Sequence, residues 1–141
     1  MNDPHNFDRF LEAQAGSYAT AVNEIRRGMK RGHWMWFIFP QLAGLGRSAT
    51  AQHYAIRSLN EARSYLSHPV LGTRLRACVA SLQDLDGLTA QTVFGEVDAI
   101  KLRSSLTLFI EAGAGPLFVA ALERWFAGKK DAATLALLNG S

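Results

Sequence analysis

The chain is predicted to be all-α, a single compact multi-helix domain with one irregular aromatic segment and a glycine loop in its middle. Three observations predict this. Apolar residues recur three and four apart along most of the sequence, the spacing of one buried helical face. Helix-capping residues stand in front of these runs, and Gly or Pro stands behind them. The alternation of apolar and polar residues that marks a half-buried strand is missing, and the one strand-like run, Trp34 to Phe39, is short.

The elements follow in order. Phe7, Phe10, Leu11 and Gln14 begin a short helix. Tyr18, Val22, Ile25 and Met29 make the stripe of a second, with Ser17 as its N-cap and Gly28 at its end. Ser58-Leu59-Asn60-Glu61 is a capping box, opening a helix through Ala62, Tyr65 and Leu66. His68-Pro69 marks a stop and a restart, with His68 as cap and Pro69 at the first helical position. Leu71, Leu75, Cys78, Val79 and Leu82 form the next buried stripe, and Asp86-Gly87 turns the chain. Thr89 caps a short turn reaching Phe94-Gly95, and a long helix runs from Glu96 to Glu111. Gly113 and Gly115 end it, and Pro116 begins another with Phe118, Ala121, Leu122 and Trp125 inward. Asp131 caps the last helix, which carries Leu135 and Leu138.

A chain of 141 residues with 48% apolar content builds its core without a disulfide or metal. Cys78 has no partner for an internal bridge and sits among apolar residues, so it reads as an inert core thiol in a reducing compartment. Met1 to Asp8 is polar, and no apolar run approaches the roughly 20 residues of a membrane span. A soluble cytoplasmic protein with no membrane partner is expected. The net charge is +3. Arg26, Arg27, Lys30 and Arg31 read first as a solvated helix end that complements the helix dipole, and second as a phosphate contact. A basic excess this modest disfavours nucleic-acid binding.

The stretch HWMWFIFPQLAGLGRS, His33 to Ser48, carries the strongest functional signal. Its aromatic residues are expected mostly in the core. Its polar tail is the expected ligand edge: Gln41 after Pro40, Gly44 and Gly46 exposing backbone N–H groups, and Arg47 offering a planar fork for phosphate. This is neither a P-loop nor a dinucleotide fingerprint, and the sequence carries no cofactor signature. A second polar set, Asp98, Lys101, Ser104 and Ser105, interrupts an apolar helix. Asp98, Lys101 and Ser105 share one face, so a pocket lined by them is expected to satisfy them. The histidines at 5, 33, 53 and 68 lack ligand spacing, so no metal is expected.

Arg9-Phe10, Ala13-Gln14, Gly28-x-Lys30, HWMWFIFPQLAGLGRS, Glu61-Ala62-Arg63-x-Tyr65-Leu66-x-His68-Pro69-Val70-Leu71-Gly72, Asp98-x-x-Lys101-Leu102-x-Ser104-Ser105 and Asp131-x-x-Thr134-Leu135 together resemble the uncharacterised bacterial DUF1810 family over nearly the whole chain. The resemblance implies a mainly helical single domain. Some members carry the label calpastatin, but inhibitor repeats of that kind are polar and disordered, unlike this chain. A second resemblance is to the NADAR domains, small helical proteins tied to ADP-ribose chemistry. Asp8-Arg9-Phe10-Leu11-Glu12-Ala13-Gln14 and Leu45-Gly46-Arg47-Ser48 fall in the order of that pattern. The chain departs from it in having Asp8 where those domains have Glu, and in lacking their C-terminal Trp-Gly-x-Gly.

The expectation drawn from these readings is a pocket for a small phosphate-bearing ligand, nucleotide or ADP-ribose-like, with hydrolysis of an N-glycosidic bond as its chemistry. Such cleavage builds positive charge on the sugar, which a carboxylate stabilises. Asp98 is the first candidate and Asp8 the second. Arg47, Lys101 and the Gly44–Gly46 backbone would hold phosphates, with Ser104 and Ser105 beside them. Trp34 or Trp36 would stack on a base, and His33 and Gln41 would orient it. The competing expectation is a non-catalytic ligand sensor, or an interaction module that exposes Trp34 or Trp36 to a partner.

Overall fold

A computed structural model describes residues 3–140. Among them the chain forms α1 (Asp8–Ala15), α2 (Tyr18–Arg27), α3 (Met35–Ile38), α4 (Ala49–His53), α5 (Leu59–Ser67), α6 (Leu71–Gln83), α7 (Ala90–Glu111), α8 (Pro116–Phe126) and α9 (Ala132–Asn139). The described residues contain no strand, only one isolated parallel bridge between Leu42 and Ile56. The all-α expectation holds. The run read as strand-like is instead a single helical turn, α3, because its apolar residues face the core together.

Helix ends follow the local chemistry. Gly28 takes the left-handed conformation at φ 73° and its N–H closes on Glu24 and Ile25. That turn swings Met29 outward to 51% exposure, so the expected stripe of α2 stops at Ile25. Ser58 Oγ accepts from Glu61 N at 3.0 Å, but Glu61 does not return to the cap; its carboxylate is used elsewhere. His68 Nδ1 accepts from Val70 and Leu71 N–H at 3.1 and 3.2 Å, so α6 begins two residues after Pro69. Asp131 Oδ2 caps α9 through Thr134 N at 2.9 Å. The long helix α7 starts at the Thr89 cap and breaks at Gly95, where φ 79° and ψ 165° admit only glycine. The break separates the expected Thr89 turn from the expected helix that begins at Glu96.

The core is aromatic at its centre. Phe7, Phe10, Tyr65, Phe109 and Phe118 touch in sequence at centroid distances of 5.2–6.3 Å, joining α1, α5, α7 and α8. The buried stripe of α6 is as read: Leu71, Leu75, Cys78, Val79 and Leu82 are all buried. Burial pushes the Cys78 thiol up to about 12, which leaves it protonated and inert. Gln14 is buried at the joint between α1 and α3, donating to Phe37 O at 2.8 Å and accepting from Arg74 at 3.2 Å. Phe10 on Tyr54, Trp34 and Phe39 on Phe94, and the Gln14 bond to Phe37 hold the 33–57 segment against α1 and α7.

The tightest helix contact in the fold predicts a measurable effect. A Cβ added at Gly72 would stand 2.1 Å from the Leu66 carbonyl oxygen, and backbone cannot give way as a side chain can. Gly72→Ala is expected to destabilise by about 1–3 kcal/mol or more. Gly16→Ala, with nothing within 4 Å of the new methyl, is expected to stay within about 0.5 kcal/mol of wild type. Urea denaturation compares the two.

Candidate functional site

A short helix organises the polar surface. α4 is held at its start by Ser48 Oγ, which accepts from Ala51 N at 3.1 Å, and by Gln52 Nε2 on Arg47 O at 3.0 Å. Three adjoining hollows ring it. The first, about 320 Å³, is lined by His5, Asn6, Arg9, His53, Arg57, Ser58 and Glu61. The second, about 380 Å³, is an open aromatic groove of His33, Trp36, Phe37, His53 and Tyr54 with Ala49 and Thr50. The third, about 200 Å³, is formed by Ala43, Gly44, Gly46, Ala51, Gln52, Ala55 and Arg57. His53 belongs to the first two, and Arg57 to the first and third.

The floor of the first hollow is a buried ion pair. Arg9 Nη2 lies 2.9 Å from Glu61 Oε2, with side chains 7% and 4% exposed. The same guanidinium donates to the carbonyls of His5, of Asn6 at 2.7 Å and of Ala55 at 2.9 Å. Glu61 Oε1 accepts from Arg57 N at 3.2 Å and lies 3.9 Å from His5 Nδ1. Removing either partner of such a pair strands a buried charge, at a cost of roughly 3–5 kcal/mol. The pair therefore fixes the N-terminal turn, the 55–57 segment and the start of α5 as one unit. Asn6 sits at φ 51° in the turn that brings His5 over Glu61.

Arg57 is different from Arg9. It is exposed, and its guanidinium has no hydrogen-bond or ion-pair partner among the described residues. Of the expected glycines, Gly44 and Gly46 do line a hollow, but the arginine facing it is Arg57, not Arg47. Arg47 is exposed and lines none of these hollows; its carbonyl, rather than its charge, is used locally. Gln41 contributes through its backbone, whose carbonyl accepts from Ile56 N at 2.8 Å. His33 and Trp36 line the aromatic groove as a pair, with Trp36 half-buried. Trp34 does not join them. It is 2% exposed, its indole donates to Glu24 at 2.8 Å, and its ring packs on Phe39 and Phe94. An interaction module built on exposed Trp34 finds no support in this geometry.

The second expected set forms a clamp rather than a pocket wall. Asp98 lies 2.7 Å from Lys30 and 3.2 Å from Lys101. Lys30, read from sequence as part of a solvated helix end, is 7% exposed at its side chain and stands over the Trp34 ring. Lys101 stands over Trp36 at 4.8 Å. Glu24 completes the clamp, accepting from Arg31 N, Gly32 N and the Trp34 indole, each at 2.8 Å. Ser104 and Ser105 are 2% and 1% exposed, and Ser104 Oγ bonds back to Ile100 O at 3.1 Å. A helical serine satisfies itself this way without a pocket. Asp8 is exposed, on the wall of another hollow of about 540 Å³ with His5, Leu11, Ser64 and His68.

Sequence reading missed His5, Arg9, His53, Arg57 and Glu61 as a site. Glu61 at the third position of a capping box reads as a cap, and Arg9 carries no local signal of a buried partner. Only their contact 52 residues apart gives them another role. Among the described residues, no group of three or more His, Cys, Asp or Glu side chains is arranged to hold a metal, and no helix is long and apolar enough to cross a membrane.

This fold and site define a helical protein whose polar hollows surround a short central helix on a buried Arg–Glu pair. The chain belongs to the DUF1810 family, described as a protein of unknown function, whose model matches residues 4–138. It is similar to the conserved hypothetical protein Rv1873 from Mycobacterium tuberculosis, with 48% sequence identity over 97% of this chain and 99% of that one, at a TM-score of 0.95. Comparison with functionally curated proteins finds no match.

The clamp makes a pH prediction. Burial by itself would raise the Asp98 carboxyl, but hydrogen bonds and charges from Lys30 and Lys101 outweigh it and hold the group below its ordinary 3.8. A carboxyl depressed on folding contributes stability that is present above its unfolded pKa and lost as pH falls through its folded pKa. Asp98→Asn is therefore expected to destabilise near pH 6 and to matter progressively less below about pH 4. Urea midpoints for both proteins across that range measure it. A mutational penalty that stays constant down to about pH 2 would contradict the clamp.

Proposed function

We propose that the protein binds a small phosphate-bearing ligand, nucleotide or ADP-ribose-like, in the hollows around α4. One observation carries this: the unpartnered guanidinium of Arg57 stands where the polar hollow meets the glycine hollow, with His5 and His53 beside it. An arginine with all its donors free is suited to grip phosphate oxygens in pairs. Gly44 and Gly46 line the same hollow as Arg57, their missing side chains making room for Leu137 and Ala51. The groove of His33, Trp36 and Tyr54, joined to the polar hollow through His53, offers faces on which a base stacks. A cytoplasmic setting fits the lone, buried Cys78.

The reading predicts that AMP and ADP-ribose raise the melting temperature while adenosine raises it far less. A ligand at a hundred times its Kd adds about 2.7 kcal/mol of stability. Arg57→Ala is expected to abolish the shift and Arg47→Ala to preserve it. Equal stabilisation by adenosine and AMP, or an undiminished response in Arg57→Ala, rejects the proposal.

Hydrolysis of an N-glycosidic bond is the catalytic version of this reading, and one observation favours a particular carboxylate. The charge of Asp98 is matched by two ammonium groups and that of Glu61 by Arg9, whereas Asp8 pairs with no cation among the described residues. It lines a hollow that shares His5 with the polar one. An unmatched carboxylate is the one able to stabilise a developing cation on the sugar. Chromatography of a nucleotide panel incubated with the protein is expected to show released base, lost in Asp8→Asn while the thermal shift persists. Wild-type protein that releases no base leaves binding as the function.

A further inference from the structure

A fifth hollow, of about 490 Å³, also has Arg57 in its lining, and that lining says more about the ligand. We infer that it takes an apolar substituent carried on the ligand's phosphate, so that the nucleotide-like ligand bears an apolar group as a further ester of that phosphate. The inference rests on the phosphate reading of Arg57 and names what is attached to that phosphate.

Four leucines set the character of this hollow: Leu42, Leu59, Leu137 and Leu138. No aromatic ring and no unmatched anion lines it. Its one carboxylate, Glu111, is paired with Lys130 at 2.8 Å. Its volume falls in the range of small-molecule sites, about 300–1,000 Å³. Arg57 lies on its wall as well as on the walls of the polar and glycine hollows. A phosphate on Arg57 thus borders an apolar space as well as a polar one.

α9 supplies a second, independent observation. From Ala132 to Leu138 it is apolar at every position but one, and that one, Thr134, is its only fully buried residue. Leu137 is 39% exposed. A helix apolar on most faces is normally covered on most faces. Here Leu137 and Leu138 line the hollow, and Leu137 is exposed. The missing Cβ of Gly44 seats Leu137 there: a methyl at 44 would lie 3.3 Å from Leu137 Cδ1, so the glycine loop and the leucine wall are fitted to each other. Charge complementarity selects the occupant. A free cation at the edge of an apolar space suits a small amphipathic anion.

The test is a ¹H–¹⁵N NMR titration of the full chain with inorganic phosphate and with methyl, butyl and hexyl phosphate. Each methylene that enters the hollow is expected to tighten binding up to about fourfold, from the free energy of burying a CH₂. Shifts should spread from Arg57 to Leu59 and Leu137 as the chain lengthens. Leu137→Asp, a change at a partly exposed position, is expected to remove the chain-length dependence and keep phosphate binding. Equal affinity for methyl and hexyl phosphate, with inorganic phosphate still shifting Arg57, overturns the inference and leaves the phosphate reading intact. Hexanol binding without any phosphate binding overturns the phosphate reading and this inference with it. A concentration-dependent dimer that protects Leu137 from every alkyl phosphate also overturns it, assigning the leucines to a second copy of the chain.

Discussion

The buried pair of Arg9 and Glu61 is the interaction on which the polar face depends. Two charges leave water together, so their mutual attraction has to offset a desolvation penalty of several kcal/mol per ion. It does so because most of the remaining donors and lone pairs are also used, although Arg9 Nε is buried without a partner. Arg9 reaches three backbone carbonyls, and Glu61 takes the Arg57 amide. Those contacts fix an N-terminal turn, the residues after α4 and the first turn of α5 in one geometry. The result is a cleft whose floor carries no net charge. Its rim carries the Arg57 side chain, with His5 and His53 lining the same hollow.

The Lys30–Asp98–Lys101 clamp follows the same logic for a different end. Its carboxylate is enclosed by two cations, and those cations stand over Trp34 and Trp36. The cation–ring contacts and the Glu24 bond to the Trp34 indole orient the aromatic segment between α2 and α7. The clamp sets how Trp36 borders the groove with His33. It positions the site, with its own charges largely matched. This contrast between spent and unspent charge separates the two clusters, although both are built from the same residue types.

Much of the fold was legible in the sequence. The stripes of α6 and α8, the glycine stop of α2, the His68 cap, the Asp131 cap and the break at Gly95 are local events, decided by residues within a few positions of one another. Where the reading slipped, the cause was sometimes a neighbouring residue and sometimes the packing of the core. Met29 lost its place in the stripe once Gly28 turned the chain. Trp34 to Phe39, which periodicity alone does not assign, holds the helical turn α3, and Phe37, Ile38 and Phe39 are buried in the core. Ser104 looked like a polar residue in need of a pocket, yet the Ile100 carbonyl beside it suffices. For the candidate site, the Gly44–Gly46 loop, His33 and Trp36 were singled out in the sequence and line hollows of the fold, while the arginine facing the loop came ten residues later than expected.

What the sequence by itself determined is the helical architecture, the family and the stretch around which the hollows form, because periodicity, caps and turns act over one or two helical turns. Which charges remain free was decided only by the tertiary structure. Arg9, Arg47 and Arg57 are alike in a sequence. Folding buries the first against Glu61, leaves the second outside the described hollows, and sets the third among them without a partner. Charge matching depends on distances between residues far apart in the chain, and those distances exist only once the helices have packed.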